Sequence, residues 1–450
     1  MNETKEPYCR RQPRVLISLL LLSGLLAACV TATPTPAPTV AATAAATAAA
    51  TATGPASIRP TTEPSPLATP TFAPSPLAAP ETTFVSKPSS HTTESGFVCP
   101  EPQPRVPVTS QQLNLFVWAE YVPADIVECF EAVYGIKVNQ SEYSSNEEMY
   151  AKLAPGGSTF DVAQPSDYII EVMIRTGLLQ KLDRTQLPNL ANIDPVYARV
   201  PGDPNGEYIA PYQVGTESIV YNADTVKEPL TSWQDLWRDD LADRLVFIDD
   251  QRYVIGFVLL SEGLDPNTAN PADLQAIKPK LADLISRVRV FDSDSPKNAL
   301  IAGDADAGFV YNGEAFLAAK ENPAFKYVYP VEGTLYYQDG YGLIKDAPHP
   351  DAAYAWFNYA LQADVAWLTL RDYPYTNANR AALEYAKNAT FTLQDADGNE
   401  VTPAELYAAY IASPITNPPP EVIEQGYAMR DVGDALPLYD QLWTEVKTGH

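Results

Sequence analysis

The sequence predicts an α/β fold for the part of the chain that follows residue 110, because β-rich apolar runs alternate there with helical patterns. An apolar run over residues 113–118 has the length and composition of a buried strand. Apolar residues then repeat at helical spacing over 126–134, and Gly135 ends that helix. A second strand begins at 136, so the globular part opens with a βαβ unit.

The end of the first strand carries the first candidate ligand contacts. Ligands of open α/β sheets bind beyond the carboxyl ends of the strands. Trp118, Glu120 and Tyr121 lie there and offer two aromatic faces and one carboxylate. This combination suits a cation with a hydrocarbon body. The alternative is that the aromatic residues only complete the core.

The N-terminus has the features of a bacterial lipoprotein signal. Three arginines within residues 10–14 precede an apolar run over 15–26, and a Leu-Ala-Ala triplet stands directly before Cys29. The triplet and its cysteine resemble a lipobox. Residues 1–28 are therefore predicted to be a signal peptide and Cys29 to be lipidated, which would anchor the protein to the extracytoplasmic face of the cell membrane. An ordinary signal peptide or a short membrane anchor remains the alternative.

Residues 29–98 have the composition of a spacer. Thr-Pro, Ala-Thr and Ser-Pro repeats leave almost no large apolar side chains to bury, so a disordered tether is predicted. Such a tether would hold a soluble domain away from the membrane.

The net charge excludes several partners. The whole chain has 30 Lys and Arg against 56 Asp and Glu, a net charge of −26. Residues 1–28 contain four of the basic and two of the acidic residues, so the remainder has 26 against 54, or −28. This acidity argues against nucleic acid and against an anionic membrane surface as partners.

Two of the four cysteines remain for the globular part. Cys9 leaves with the signal peptide and Cys29 is the lipidation site, whereas Cys99 and Cys129 stay. In an oxidising compartment this even pair predicts a disulfide. The alternative is two unpaired thiols, with Cys129 buried as a small apolar residue.

Seven short blocks, in order, carry a family resemblance. They are FVWAEYVP (116–123), SSNEEMYAKL (144–153), FDV with PSDY (160–168), PY with GT (211–216), TSWQDLW (231–237), YP with Asn377 (373–377) and DVG (431–433). The chain resembles the spermidine/putrescine-binding proteins of ABC importers over about residues 111–448. The resemblance implies a two-lobed, periplasmic-binding-protein-like (type II) fold with a hinge and an interlobe cleft. It also implies a monomer without enzymatic activity, cofactor or metal, whose partners are a polyamine and an ABC permease with its cytoplasmic ATPase.

The resemblance also implies a set of ligand-binding residues: Trp118, Glu120, Tyr121, Ser166, Tyr168, Asp250, Tyr253, Tyr311, Tyr337, Asp339 and Tyr373. The chain departs from the family pattern at some positions. Tyr253 stands where spermidine-preferring members place a second acid, and Tyr311 and Tyr337 replace tryptophans. Met429 replaces a polar glutamine. These departures leave the choice between putrescine and spermidine open.

The resemblance divides the globular part into segments. Residues 99–214 form the first segment of lobe 1, 215–339 form lobe 2, 340–415 return to lobe 1, and 416–450 complete lobe 2. The chain is predicted to cross between the lobes near 212–220 and 339–343.

Two other classes of function stay open from the residues alone. A secreted hydrolase would use a pair of carboxylates such as Asp249 or Asp250 with another acid. A ferric-iron or other solute-binding protein of the same fold would use the tyrosine pair at 336–337.

Overall fold

The computed structural model describes residues 86–157, 159–395 and 398–449. The predicted signal peptide, the lipidation site Cys29 and the tether up to residue 85 lie outside these described residues.

The described part alternates strands and helices. The strands are β1 (Pro88–Thr92), β2 (Val98–Pro100), β3 (Gln112–Trp118), β4 (Lys137–Tyr143), β5 (Val162–Ala163), β6 (Ile209–Asn222), β7 (Leu245–Phe247), β8 (Val288–Phe291), β9 (Ala307–Tyr311), β10 (Phe325–Val328), β11 (Leu335–Leu343), β12 (Thr376–Asn377), β13 (Leu393–Gln394), β14 (Glu400–Val401) and β15 (Tyr427–Ala428). The α-helices are α1 (Ala124–Tyr134), α2 (Asn146–Leu153), α3 (Asp167–Arg175), α4 (Gln251–Ser261), α5 (Pro271–Arg287), α6 (Lys297–Ile301), α7 (Asn312–Glu321), α8 (Pro350–Ala360), α9 (Ala363–Ala366), α10 (Thr369–Asp372), α11 (Arg380–Asn388), α12 (Pro403–Ala412), α13 (Pro420–Glu424) and α14 (Leu436–Thr448).

One sheet runs through the molecule in the order β4-β3-β5-β11-β6-β9-β7-β8, with β10 and β12 pairing with β6 and β15 with β11. β3 is parallel to β4 and β5, and β7 is parallel to β8 and β9. The opening unit β3-α1-β4 confirms the predicted βαβ unit, and Gly135 caps α1 in the left-handed conformation at φ 68°.

The middle of the sheet consists of two long antiparallel strands, β6 and β11. We call the half that contains β3, β4 and β5 lobe 1 and the half that contains β7, β8 and β9 lobe 2. Both predicted crossings, near residues 212–220 and 339–343, fall within β6 and β11. The two-lobed α/β fold is therefore confirmed, whereas the segment boundaries given above stay predictions.

The residues just before the βαβ unit belong to the folded part. β1 and β2 form a hairpin, Phe97 is 2% exposed, and Cys99 forms a disulfide with Cys129 of α1, with Cα atoms 5.2 Å apart. The tether was predicted to extend to residue 98, so its predicted end is too late. The Pro- and Ser-rich composition of this segment did not indicate that Phe97 is buried, with its ring centre 5.9 Å from that of Trp367.

The C-terminal helix α14 packs on lobe 2. Tyr439 donates a hydrogen bond to the carbonyl of Thr268, and Lys278 of α5 pairs with Glu445 at 2.7 Å. Both contacts join α14 to lobe 2. Of the helices in the described ranges, none is long and apolar enough to cross a membrane.

Candidate ligand-binding site

A cavity lies between the lobes, over the two middle strands of the sheet. Fourteen described residues line it. Eight of them are predicted site residues: Trp118, Tyr121, Ser166, Asp250, Tyr253, Tyr311, Tyr337 and Asp339. Six were not predicted: Ala119, Asn146, Glu217, Ser293, Asp294 and Tyr375.

Asp339 is the carboxylate of β11 that faces the cavity. It is 3% exposed, and its Oδ2 accepts a hydrogen bond of 2.7 Å from the Tyr121 hydroxyl. Its Oδ1 is buried without a hydrogen-bond partner among the described residues. Burial raises the pKa of Asp339 to about 7, although the hydroxyls of Ser166 and Tyr121 oppose the shift. The free oxygen is thus ready to accept a hydrogen bond from a ligand.

Asp250 has two roles in the structure. It is the N-cap of α4, where Oδ1 accepts hydrogen bonds from the backbone N–H groups of Arg252 and Tyr253 at 2.9 and 3.2 Å. It also lines the cavity. Burial, followed by the charge of Glu147, raises the pKa of Asp250 to about 8.

Glu217 is a third buried carboxylate and comes from β6. It is 2% exposed, and its Oε2 has no hydrogen-bond partner within the described part of the chain. Burial, with the charges of Asp250 and Asp167, raises the pKa of Glu217 well above its ordinary value. The sequence did carry a signal for this residue, because Glu217 is the single charged side chain of the 14-residue strand. An unpaired acid in a central strand is costly to bury and therefore marks a functional candidate.

The charge of the lining is one-sided. Four carboxylates line the cavity, from Glu217, Asp250, Asp294 and Asp339, and none of the described lining residues is basic. The nearby guanidinium of Arg252 lies 4.2 Å from the ring centre of Tyr439 and donates to the carbonyl of Arg430, and its charge opposes only in part the rise in the pKa of Asp250. The carboxylates of Glu217, Asp250 and Asp339 are buried, and a cationic ligand would offset their negative charges.

Tyrosine rings form the walls of the cavity. The ring centres of Tyr311 and Tyr337 are 5.8 Å apart, and those of Tyr121 and Tyr375 are 5.2 Å apart. The indole Nε1 of Trp118 is buried without a hydrogen-bond partner among the described residues. Flat π faces on several sides suit methylene groups and ammonium groups alike.

Two glycines make room for these rings. A Cβ at Gly215 would lie 2.2 Å from the hydroxyl of Tyr337, and a Cβ at Gly313 would lie 2.6 Å from the ring of Tyr375. Of these two glycines, Gly215 belongs to the block at 211–216 that carries part of the family resemblance. Their role is to let tyrosine rings lie flat over the backbone of β6 and α7.

Three predicted site residues do not line the cavity. Tyr168 is buried beneath the guanidinium of Arg252, and its hydroxyl donates to Glu147 at 2.7 Å. Tyr373 ends α10, and a tight turn between Tyr373 and Tyr375, closed by a 2.8 Å backbone hydrogen bond, brings Tyr375 to the cavity instead.

Glu120 is the third residue outside the lining. Its backbone has φ 45°, a left-handed conformation that non-glycine residues rarely adopt. The turn directs its carboxylate outward, where Oε2 pairs with Lys297 Nζ at 3.0 Å. Met429, noted for replacing a glutamine, is fully buried against Gly256 of α4 and also lies outside the lining.

The structure does not favour the iron site at the tyrosine pair, and of the two acids named for a hydrolase it places only Asp250 at the cavity. Tyr336 and Tyr337 are successive residues of β11, so their side chains point to opposite faces of the sheet and do not converge on one ion. Within the described residues, no group of three or more His, Cys, Asp or Glu is placed to hold a metal. Asp249 pairs with Lys447 at 3.0 Å and, unlike Asp250, does not line the cavity.

Comparisons with known proteins agree with this fold. Residues 125–393 match the family model of the bacterial extracellular solute-binding proteins. The chain is 33% identical over 339 residues to the spermidine/putrescine-binding periplasmic protein of Salmonella typhimurium, covering 75% of this chain and 92% of the relative.

Two solved structures resemble the whole globular part. One is the spermidine/putrescine ABC transporter substrate-binding protein PotD of Streptococcus pneumoniae, with 27% identity and a TM-score of 0.60 over 75% of this chain and 99% of that one. The other is the TpPotD lipoprotein of Treponema pallidum, with 27% identity and a TM-score of 0.62 over 74% and 99%. The chain therefore belongs to the bacterial extracellular solute-binding protein family, among relatives that are spermidine/putrescine-binding periplasmic proteins.

Proposed function

We propose that this protein captures a linear polyamine, putrescine or spermidine, in the interlobe cavity and delivers it to an ABC permease. The observation that carries the proposal is the lining itself, with four carboxylates, no basic side chain among its described members, and walls of tyrosine. The names of the relatives point to the same ligand class.

The residues would act in two groups. Asp339 and Glu217 each present a buried carboxylate oxygen that lacks a partner among the described residues, and these oxygens would accept hydrogen bonds from ligand ammonium groups. Trp118, Tyr311 and Tyr337 would cover the methylene groups. Tyr121 would orient Asp339 through its 2.7 Å hydrogen bond.

The same relatives support a cellular location for this protein. A permease receives its ligand outside the cytoplasm, and the relatives named above are periplasmic proteins or a lipoprotein. We propose that a lipid on Cys29 holds the protein at the membrane and that the segment after it works as a tether. The protein would bind and release its ligand without chemical change.

Isothermal titration calorimetry of the purified protein without its first 29 residues tests the proposal. Putrescine, spermidine and spermine form the test set, and sugars, neutral amino acids and ferric iron form the comparison set. We expect saturable binding of at least one polyamine with a stoichiometry near one. Binding confined to a sugar, an amino acid or iron would contradict the proposal.

A further inference from the structure

At the mouth of the cavity, Lys297 of lobe 2 makes an ionic contact with Glu120 of lobe 1. The Lys297 ammonium lies 3.0 Å from Glu120 Oε2 and 3.1 Å from the Ser295 hydroxyl. It also contacts both carboxylate oxygens of Glu314, at 3.0 and 3.1 Å. A primary ammonium has three N–H donors, so these acceptors satisfy it completely.

This contact borders directly on the cavity. Ala119 and Asp294, the sequence neighbours of Glu120 and Ser295, both line it. The lining residue Tyr375 lies close enough that the charge of Glu314, after burial, raises its pKa well above the ordinary value. The ammonium of Lys297 is therefore held at one end of the ligand space.

The chemistry of this contact matches that of the ligand. A lysine side chain is a chain of four methylenes that ends in a primary ammonium, which is also how a polyamine ends. Glu120, moreover, is an acid that the family resemblance assigns to the ligand. We propose that Lys297 is a specificity-determining residue: its tethered ammonium fills a subsite made by Glu120, Ser295 and Glu314 and keeps a ligand ammonium out of it. This inference rests on the proposed polyamine binding and predicts a preference for the shorter diamine.

Burial explains why Lys297 stays in place. The side chain of Glu314 is only 3% exposed and that of Lys297 17%, so this pair cannot separate without leaving a buried charge unpaired. The side chain of Glu120 is 48% exposed and can be solvated by water when the lobes move apart. Lys297 and Glu314 thus remain together in lobe 2, and Glu120 joins them when the cleft closes.

A set of variants of the full-length protein tests the proposal by calorimetry with putrescine and spermidine. Lys297→Met removes the ammonium, and the double variant Lys297→Met with Glu314→Gln also removes the buried carboxylate that would otherwise be unpaired. In the double variant Glu120 becomes available to a third ligand ammonium. We expect the ratio of spermidine to putrescine affinity to rise by at least about tenfold, the effect of one charge-assisted hydrogen bond.

Two controls make the result specific. Lys297→Arg keeps the positive charge and should leave the ratio near that of the wild type. Adding Glu120→Gln to the double variant should abolish the gain. Two results would overturn the role of Lys297 without contradicting the proposed function. One is an unchanged ratio of spermidine to putrescine affinity in a double variant that retains the wild-type melting temperature. The other is a gain in that ratio that persists without Glu120. If neither the wild type nor any variant binds either amine, the proposed function falls and this inference with it.

Discussion

Replacing Asp339 by asparagine should weaken polyamine binding more than any comparable change outside the cavity. The side chain is 3% exposed, and one of its oxygens lacks a hydrogen-bond partner within the described residues. Asparagine keeps the shape and can still accept the Tyr121 hydrogen bond, so the substitution removes mainly the charge. Loss of one partner of a desolvated charge pair costs about 2–5 kcal/mol. Since about 1.4 kcal/mol is a factor of ten, affinity should fall by at least about 30-fold.

The affinity is best measured at pH 8. Burial raises the pKa of Asp339 to about 7 in the empty cleft, so the carboxyl is mostly ionised at that pH. Asp249→Asn is the matched control. It is the same substitution at a side chain that is 46% exposed and paired with Lys447, so its effect should stay below about threefold. Asp339→Asn should also raise the melting temperature of the ligand-free protein, since it removes an uncompensated buried charge. If Asp339→Asn binds polyamine as tightly as the wild type does, Asp339 does not contact the ligand ammonium.

Further predictions concern the effect of pH, Gly215 and Cys29. Asp339 and Asp250 have pKa values of about 7 and 8, so their contribution to the stability of the empty form is present near pH 4 and is lost as the pH rises through 8. Polyamine affinity should rise over the same pH range by up to about tenfold per pH unit for each proton released on binding. Calorimetry in two buffers of different ionisation enthalpy should detect those protons. An affinity that does not change with pH would show that the acids are already ionised in the empty cleft. Gly215→Ala should displace the ring of Tyr337, because the new Cβ would lie 2.2 Å from its hydroxyl, and should weaken binding by about tenfold or more. Gly263→Ala, at an exposed position whose φ of 70° strains any side chain, should lower stability but leave affinity unchanged. Cys29→Ser should move the protein from the membrane fraction to the soluble fraction without changing its affinity, and membrane retention of that variant would contradict lipid anchoring.

Much of the fold could be predicted because local signals agree with the tertiary structure. The apolar run at 113–118 falls within β3, and the helical pattern at 126–134 falls within α1, which Gly135 caps. The end of the tether could not be predicted. Its boundary depends on one aromatic residue, Phe97, and on the disulfide at Cys99, both of which are stabilised by residues far along the chain.

The site was predictable where one chain segment determines the geometry. Trp118 is the last residue of β3, so the rule that ligands bind beyond strand ends places it at the cleft. The family resemblance adds Asp250, which follows β7 and lines the cavity. The family resemblance implies Tyr373, whereas the turn closed by the hydrogen bond from the Tyr375 N–H to the Tyr373 carbonyl brings Tyr375 to the cavity. A tyrosine pair around one proline does not reveal which ring faces the cavity.

Glu120 shows a different limit of sequence reasoning. Its partner Lys297 is 177 residues away in the sequence and on the opposite lobe. The local sequence around either residue does not predict that they pair. An acid after the first strand therefore has the same local sequence whether it binds a ligand or a lysine. Only the arrangement of the lobes in the structure, which brings Lys297 to Glu120, distinguishes the two roles.

The positions of the buried acids explain how a ligand would close this cleft. Glu217 and Asp339 lie on β6 and β11, the strands that connect the lobes, and Asp250 lies at the start of α4 in lobe 2. In a closed but empty cleft Glu217 and Asp339 lose their hydration without gaining a counter-ion, which raises their pKa values and opposes closure. A polyamine supplies ammonium groups that only the closed form can surround on all sides. Its binding therefore stabilises closure by the difference between its affinities for the closed and open forms. Because Lys297 already supplies one ammonium at the mouth, the ligand has to neutralise only the acids deeper in the cleft.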